Sequence, residues 1–184
     1  MKVTETIIPG VLILEPKVFT DDRGYFYESY NKQTLLKAGI NADFVQDNQS
    51  MSQKGTVRGL HAQAPPLAQA KLVSVLQGSV MDIAVDARIG SPTYGRHVAV
   101  ELSAKNKLQL WIPDGCLHGF VTLEDDTIFT YKVTNHYNKE SETGIIWNDP
   151  SLAIGWGIDE RDALLSEKDQ QLPDFATYNS PFKY

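Results

Sequence analysis

Leu72-Val73-Ser74-Val75-Leu76-Gln77-Gly78-Ser79-Val80-Met81-Asp82-Ile83-Ala84-Val85 decides the fold class. Two apolar runs meet at Gln77-Gly78, which predicts two antiparallel strands joined as a hairpin. Working outward, His97 to Leu102 and Leu108 to Ile112 flank Ser103-Ala104-Lys105-Asn106-Lys107, a second predicted hairpin. Thr127 to Thr134 sets Ile128, Thr130 and Lys132 against Phe129, Tyr131 and Val133, a strand period of two. Ile145-Ile146-Trp147 reads as a short strand stopped by Asn148-Asp149-Pro150, and Ile7 to Leu14 as an early one with an edge free to pair with another subunit. Helical signals are few. Asn31 caps a short helix through Leu35-Leu36 that stops at Gly39, and Asp159 to Asp169 holds one or two turns. The expectation is an all-β chain, a jelly-roll β-sandwich with short peripheral helices.

The totals agree with that plan. At 184 residues and 42% hydrophobic, the sequence suits a single domain over residues 1–184, with a core that needs no disulfide or metal staple. A net charge of −6 argues against duplex nucleic acid or an anionic membrane as partner, while leaving room for a local basic pocket. Cys116 is the only cysteine, so an internal disulfide and a CxxC metal site are both impossible. The apolar run near the N-terminus is cut by Pro9, Gly10 and Glu15, too short for a signal peptide or a membrane span. A reducing cytoplasm is the expected location.

Three segments concentrate polar groups in otherwise β-rich sequence. They are Arg58-Gly59-Leu60-His61-Ala62-Gln63 with Lys71 beyond it, Pro113-Asp114-Gly115-Cys116-Leu117-His118-Gly119-Phe120, and Leu165-Ser166-Glu167-Lys168-Asp169. The second resembles the P-x-G-x-x-H signal of the cupin superfamily, jelly rolls that often bind a metal. Here Gln63 takes the place of a second histidine and Gln69 stands where a carboxylate would be needed, so no metal cage is expected. Without a metal, His61 is a candidate general base, because its ordinary pKa lies near neutrality. Asp169 could fix its tautomer if the C-terminal segment folds back. Lys71 could face an oxygen that gains charge when a proton leaves the carbon beside a carbonyl. The hydroxyl of Tyr131 could enter the same cavity as a proton donor. Each residue also has an ordinary reading: a structural histidine, a turn-capping aspartate, a solvated strand-end lysine, a core tyrosine. Spacing alone stops at a metal-free jelly roll with a polar cavity.

A resemblance carries the reading further. Asp22-Arg23-Gly24, Phe44-Val45-Gln46-Asp47-Asn48, Val57-Arg58-Gly59-Leu60-His61, Lys71-Leu72-Val73 and Asp86-Ala87-Arg88 resemble the dTDP-4-dehydrorhamnose 3,5-epimerase family. So do Ser91-Pro92-Thr93-Tyr94-Gly95, Leu110-Trp111-Ile112-Pro113, His118-Gly119-Phe120, Trp147-Asn148-Asp149-Pro150 and Leu165-Ser166-Glu167-Lys168-Asp169. The matches run in order over nearly the whole chain. The resemblance implies a metal-free cupin acting as a homodimer, without a cofactor, on dTDP-4-dehydro-6-deoxy-D-glucose in dTDP-L-rhamnose biosynthesis.

By that resemblance His61 is the base, Asp169 its orienting carboxylate, Tyr131 the acid on the opposite face of the sugar, and Lys71 the cation beside the C4 oxygen. Arg23, Arg58 and Lys168 would meet the diphosphate. Gln46, Asp47, Asn48 and Glu28 would line the thymidine and ribose, with Glu28 supplied across the dimer interface. Tyr137 would stack on the thymine, and Glu142 and His118 would make further substrate contacts. Ala62 and Gln49 stand where relatives commonly carry an aromatic residue and a histidine. An epimerase that inverts only C3 of a nucleotide-linked 4-keto-6-deoxysugar, and a non-catalytic nucleotide-sugar-binding jelly roll, are the alternatives.

Overall fold

In the computed structural model, which describes residues 1–184, strand alternation sorts the chain into two antiparallel sheets. The six-stranded sheet runs, across its width, β1 (Lys2–Glu5), β2 (Leu12–Glu15), β10 (Gln109–Ile112), β7 (Lys71–Gln77), β12 (Thr127–Val133) and β5 (Gln46–Ser52). The five-stranded sheet runs β13 (Glu142–Gly144), β6 (Val57–Gln63), β11 (Cys116–Thr122), β8 (Ser79–Asp86) and β9 (His97–Ser103). A separate ribbon, β3 (Phe19–Asp21) with β4 (Gly24–Phe26), carries a largely exposed arm. The result is the jelly-roll sandwich of the cupin kind that the sequence predicts.

Both predicted hairpins are instead corners. β7 and β8 follow each other through Gln77-Gly78 yet lie in different sheets, as do β9 and β10. The edges of β7 are taken by β10 and β12, and those of β8 by β11 and β9, so the two cannot pair with each other. Gly78 makes the first corner possible. Its φ is +75°, and a Cβ there would fall 2.3 Å from the Thr127 hydroxyl oxygen.

Alternation places the core. Val73, Val75, Val80, Ala84, Leu102, Leu110, Ile112, Phe120 and Phe129 fill the space between the sheets. The opposite parity of β8 and β11, Ile83, Val85, Leu117 and Val121, packs outside against Ile145, Trp147, Leu152, Trp156 and Phe182. The C-terminal third therefore covers the five-stranded sheet. Truncating a fully buried aromatic such as Phe129 costs about 3–5 kcal/mol.

Local chemistry shifts two expected elements. The run Ile7 to Leu14 is not one strand, because Pro9 lacks an N–H and Gly10 takes φ +88°. Thr6 Oγ1 donates to the Val11 carbonyl at 2.9 Å and closes a turn, leaving β1 and β2 on either side, with β1 at the sheet edge. The strand expected at Ile145–Trp147 falls earlier, at β13. Ile145 still exchanges two backbone bonds with Leu60, but the amide of Ile146 turns away to Pro173 and the ladder ends. The helix comes as read, α1 (Lys32–Lys37), with the Asn31 side chain accepting from the Thr34 amide at 3.2 Å. Single 3₁₀ turns at Glu160–Asp162 and Asp169–Gln171 account for the polar stretch before residue 171.

Candidate active site

One end of the space between the sheets is polar. Lys71 and Tyr131 lie on the same inward parity as Val73 and Phe129, one step nearer the mouth. Across from them, β6 carries His61 and Gln63. A cavity of about 150 Å³ opens there, lined by Gln46, Asn48, His61, Ala62, Gln63, Gln69, Lys71, Tyr131, Tyr137 and Glu142.

Behind His61 sits Asp169. The C-terminal segment folds back along β6, with the Val57 amide donating to the Leu164 carbonyl at 2.9 Å and the Leu164 amide to the Gly55 carbonyl at 2.8 Å. That brings the Asp169 carboxylate, 4% exposed, to 2.5 Å from His61 Nε2. In the neutral ring Nε2 then carries the proton, and Nδ1 is the free basic nitrogen. Burial is the largest single influence on Asp169 and works against its ionisation, but the bond and charge of His61, with Ser166 and Lys168, together hold the carboxyl below its ordinary range. The capping duty falls to Ser166, whose Oγ accepts from the Asp169 amide at 3.2 Å.

The geometry of β6 depends on Gly59. Its φ is +133°, and a Cβ there would lie 2.4 Å from the Gly119 Cα. This close approach accompanies a register shift between His118 and Phe120, after which His118 pairs directly with His61 across the ladder.

Burial tunes the other two groups in useful directions. Lys71 is pulled down to about 8 by desolvation, against the pull of Asp82 and Glu142, which favour its charge. Tyr131 is pushed up by burial, with Arg58 opposing, so its phenol keeps its proton at neutral pH. The site thus places a base with a fixed tautomer, a cation and a proton donor around one small volume. That set can take a proton from an acidic C–H, stabilise the resulting oxyanion and return a proton from a second direction.

The remaining candidates divide. Gln46, Asn48, Tyr137 and Glu142 line the cavity. Lys168 reaches its rim and is ion-paired to Glu142 at 2.5 Å. Arg58 lies close enough to Tyr131 for its charge to be felt there and donates to the Ser52 hydroxyl at 3.2 Å. Asp47 points to the opposite face of β5 from Gln46 and Asn48 and pairs with Lys132 at 2.8 Å. His118 is buried, with Nε2 3.0 Å from the Asp82 carboxylate, and does not reach the cavity wall. Arg23 and Glu28 lie on and after the exposed arm; Arg23 pairs with Asp21, and Glu28 accepts from Asn31. Within one chain neither lines the His61 cavity. Nowhere do three His, Cys, Asp or Glu side chains converge as a metal site would need.

The family model for dTDP-4-dehydrorhamnose 3,5-epimerase matches residues 5–177. The chain belongs to this family. Such epimerases are isomerases, and the similarity extends over whole chains. The dTDP-4-dehydrorhamnose 3,5-epimerase of Shigella flexneri is 53% identical over 170 residues, 92% of this chain and 93% of its own. The crystal structure of the enzyme of that name from Elizabethkingia anophelis NUHP1 superposes with a TM-score of 0.93 at 51% identity, covering 97% of this chain and 98% of the other. The dTDP-6-deoxy-D-glucose-3,5-epimerase of Legionella pneumophila Philadelphia 1, crystallised with dTDP-4-keto-L-rhamnose, gives 0.94 at 46% identity, covering 100% and 98%.

Three residues in or behind the candidate site of this epimerase escape a reading of the sequence. Gln63 and Gln69 line the cavity, although the sequence presents them only as absent metal ligands. Asp82 is the third, a fully buried carboxylate against His118. Its signal was available: a lone acid inside Val80-Met81-Asp82-Ile83-Ala84-Val85 must have a partner to be tolerated there. No helix is long and apolar enough to cross a membrane.

Proposed function

We propose that this epimerase inverts C3 and C5 of dTDP-4-dehydro-6-deoxy-D-glucose, the 3,5-epimerisation of dTDP-L-rhamnose biosynthesis, with His61 as base and Tyr131 as acid. The observation that carries this reading is the convergence of His61–Asp169, Lys71 and Tyr131 on one cavity. The C4 ketone acidifies the hydrogens on both neighbouring carbons. His61 Nδ1 takes one, and the electron pair moves onto the C4 oxygen, where the Lys71 ammonium meets the charge. Tyr131 gives a proton to the opposite face of the same carbon, which inverts it. His61 is left protonated and Tyr131 ionised, and exchange with water restores both before the second carbon reacts. No electron changes hands, so the step calls for no redox cofactor.

The nucleotide half is assigned to the cavity rim. Arg58 and Lys168 hold the diphosphate, a task that suits guanidinium and ammonium donors, with Lys168 exchanging its Glu142 partner for phosphate oxygen. Gln46 and Asn48 meet the ribose and base, and Tyr137, 57% exposed beside the cavity, stacks on the thymine. His118 acts from behind the wall rather than as a direct contact.

A homodimer completes this reading. Phe19, Tyr25 and Phe26 on the arm are 52%, 60% and 68% exposed and lie together, a grouping of large apolar side chains that suits a protein–protein contact. Laid on a second copy, the arm carries Arg23 and Glu28 to the partner's cavity. One jelly-roll domain per subunit, working in the cytoplasm, supplies the rest.

The test is conversion of dTDP-4-dehydro-6-deoxy-D-glucose by the purified protein, with the product's ring configuration assigned by proton NMR. Formation of the L-configured 4-keto sugar supports the proposal. Unchanged substrate, with dTDP still bound, would leave a binding protein in its place.

A further inference from the structure

Gln63 makes three hydrogen bonds, all to backbone. Its Nε2 donates to the Leu67 carbonyl at 2.8 Å and the His136 carbonyl at 3.2 Å, and its Oε1 accepts from the Asn138 amide at 2.7 Å. The side chain is 4% exposed, so these bonds form away from water, where leaving them unmade is costly. The last two bracket one residue. His136 and Asn138 are the neighbours of Tyr137 on either side, so Gln63 grips the peptide units before and after it. The amide of Tyr137 is held as well, donating to Gln46 Oε1 at 3.2 Å. The ring itself is 57% exposed, and packing does little to fix it. Its position is set through the backbone.

We infer that Gln63 is a positioning residue for nucleobase recognition: by clamping residues 136–138 it presets the Tyr137 ring. The inference rests on the proposed stacking role of Tyr137. A preset ring loses less freedom on binding, so the clamp raises affinity for the base-bearing half of the substrate alone. It does nothing for the diphosphate contacts at Arg58 and Lys168.

Gln63→Leu keeps the bulk and removes all three bonds. Calorimetric titration of the full-length protein with dTDP and with inorganic pyrophosphate separates the two halves. The inference predicts about a tenfold weaker dTDP affinity with pyrophosphate affinity unchanged, and a larger effect on KM for the dTDP-sugar than on kcat. In a Tyr137→Ala background, Gln63→Leu should have no further effect on dTDP binding. Where Gln63→Leu does not accumulate as folded protein, Gln63→Glu retains the bond from Asn138 and should give an intermediate loss. Equal weakening of dTDP and pyrophosphate, unchanged dTDP binding, or the same loss with Tyr137 already removed would each overturn it. If the wild-type protein fails to bind dTDP at all, the proposed function fails instead.

Discussion

The His61 imidazole and the Asp169 carboxylate come from positions 108 residues apart and meet with Nε2 and Oδ1 at 2.5 Å. The bond is made possible by the C-terminal segment returning along β6, and it leaves Nδ1 as the free nitrogen of the neutral ring, as the proposed base requires. His61→Ala should abolish exchange at both carbons and lower turnover by at least about 10²–10⁴-fold. Asp169→Asn keeps the shape but frees the tautomer, and a loss of about 10²-fold or more is expected, with dTDP affinity retained. Steady-state kinetics beside dTDP titration check both. Near-normal turnover in Asp169→Asn would remove the orienting role.

Tyr131 faces the same cavity from the other sheet, its phenol kept protonated by burial. Tyr131→Phe should therefore slow reprotonation more than proton removal. Solvent exchange at the ring carbons should persist while inversion is lost, as followed by NMR in deuterated buffer. Full epimerase activity in this variant would show that another group supplies the proton.

The role proposed for Lys71 depends on its charge, and burial brings its pKa down to about 8. The proton is in place below that value and is lost as pH rises through it. The value of kcat/KM, which reports the free enzyme, should accordingly hold on the neutral side and fall as pH passes about 8. Lys71→Met should erase this limb and cut kcat by about 10²–10³-fold. A rate profile for the wild-type enzyme that stays flat well above pH 8 would contradict the assignment.

Away from the site, Asp86 anchors the β8–β9 connection. Its fully buried carboxylate accepts from Arg88 at 2.8 and 2.9 Å, Ser91 at 2.5 Å and Thr93 at 2.7 Å. Burial pulls the other way, but these bonds hold its pKa at about 2, from an ordinary 3.8. The resulting stability is complete above pH 3.8 and fades as pH falls through about 2. Asp86→Ala strands Arg88, whose side chain is only 11% exposed, and should destabilise the fold by about 3–5 kcal/mol in urea unfolding. A change below about 1 kcal/mol would mark the pair as no stronger than a surface one.

Sequence makes the strands and the candidate proton carriers legible because both are local signals. The alternation over Thr127–Thr134 gives the faces of β12 directly, and with them the inward aim of Tyr131. What alternation does not encode is which sheet a strand joins. A two-residue link at Gln77-Gly78 serves a hairpin or a corner equally well, and only the occupied edges of β7 and β8 decide between them. The site shows the same division. His61, Lys71 and Asp169 were readable from residue type, whereas Gln46, Asp47 and Asn48 could not all face one cavity from one strand, and Asp47 turned outward. Arg23 and Glu28 are readable as candidate ligand groups, but within one chain neither lines the cavity, so the fold of a single copy does not place them there.

Deuterium incorporation reports directly on inversion at both carbons. The protein is incubated with dTDP-4-dehydro-6-deoxy-D-glucose in D₂O, and the product is analysed by NMR for label at each ring carbon. Label is expected at both C3 and C5 of an L-configured product, and its loss is expected in His61→Ala. Label at C3 alone, or turnover that survives loss of His61, would contradict the proposal.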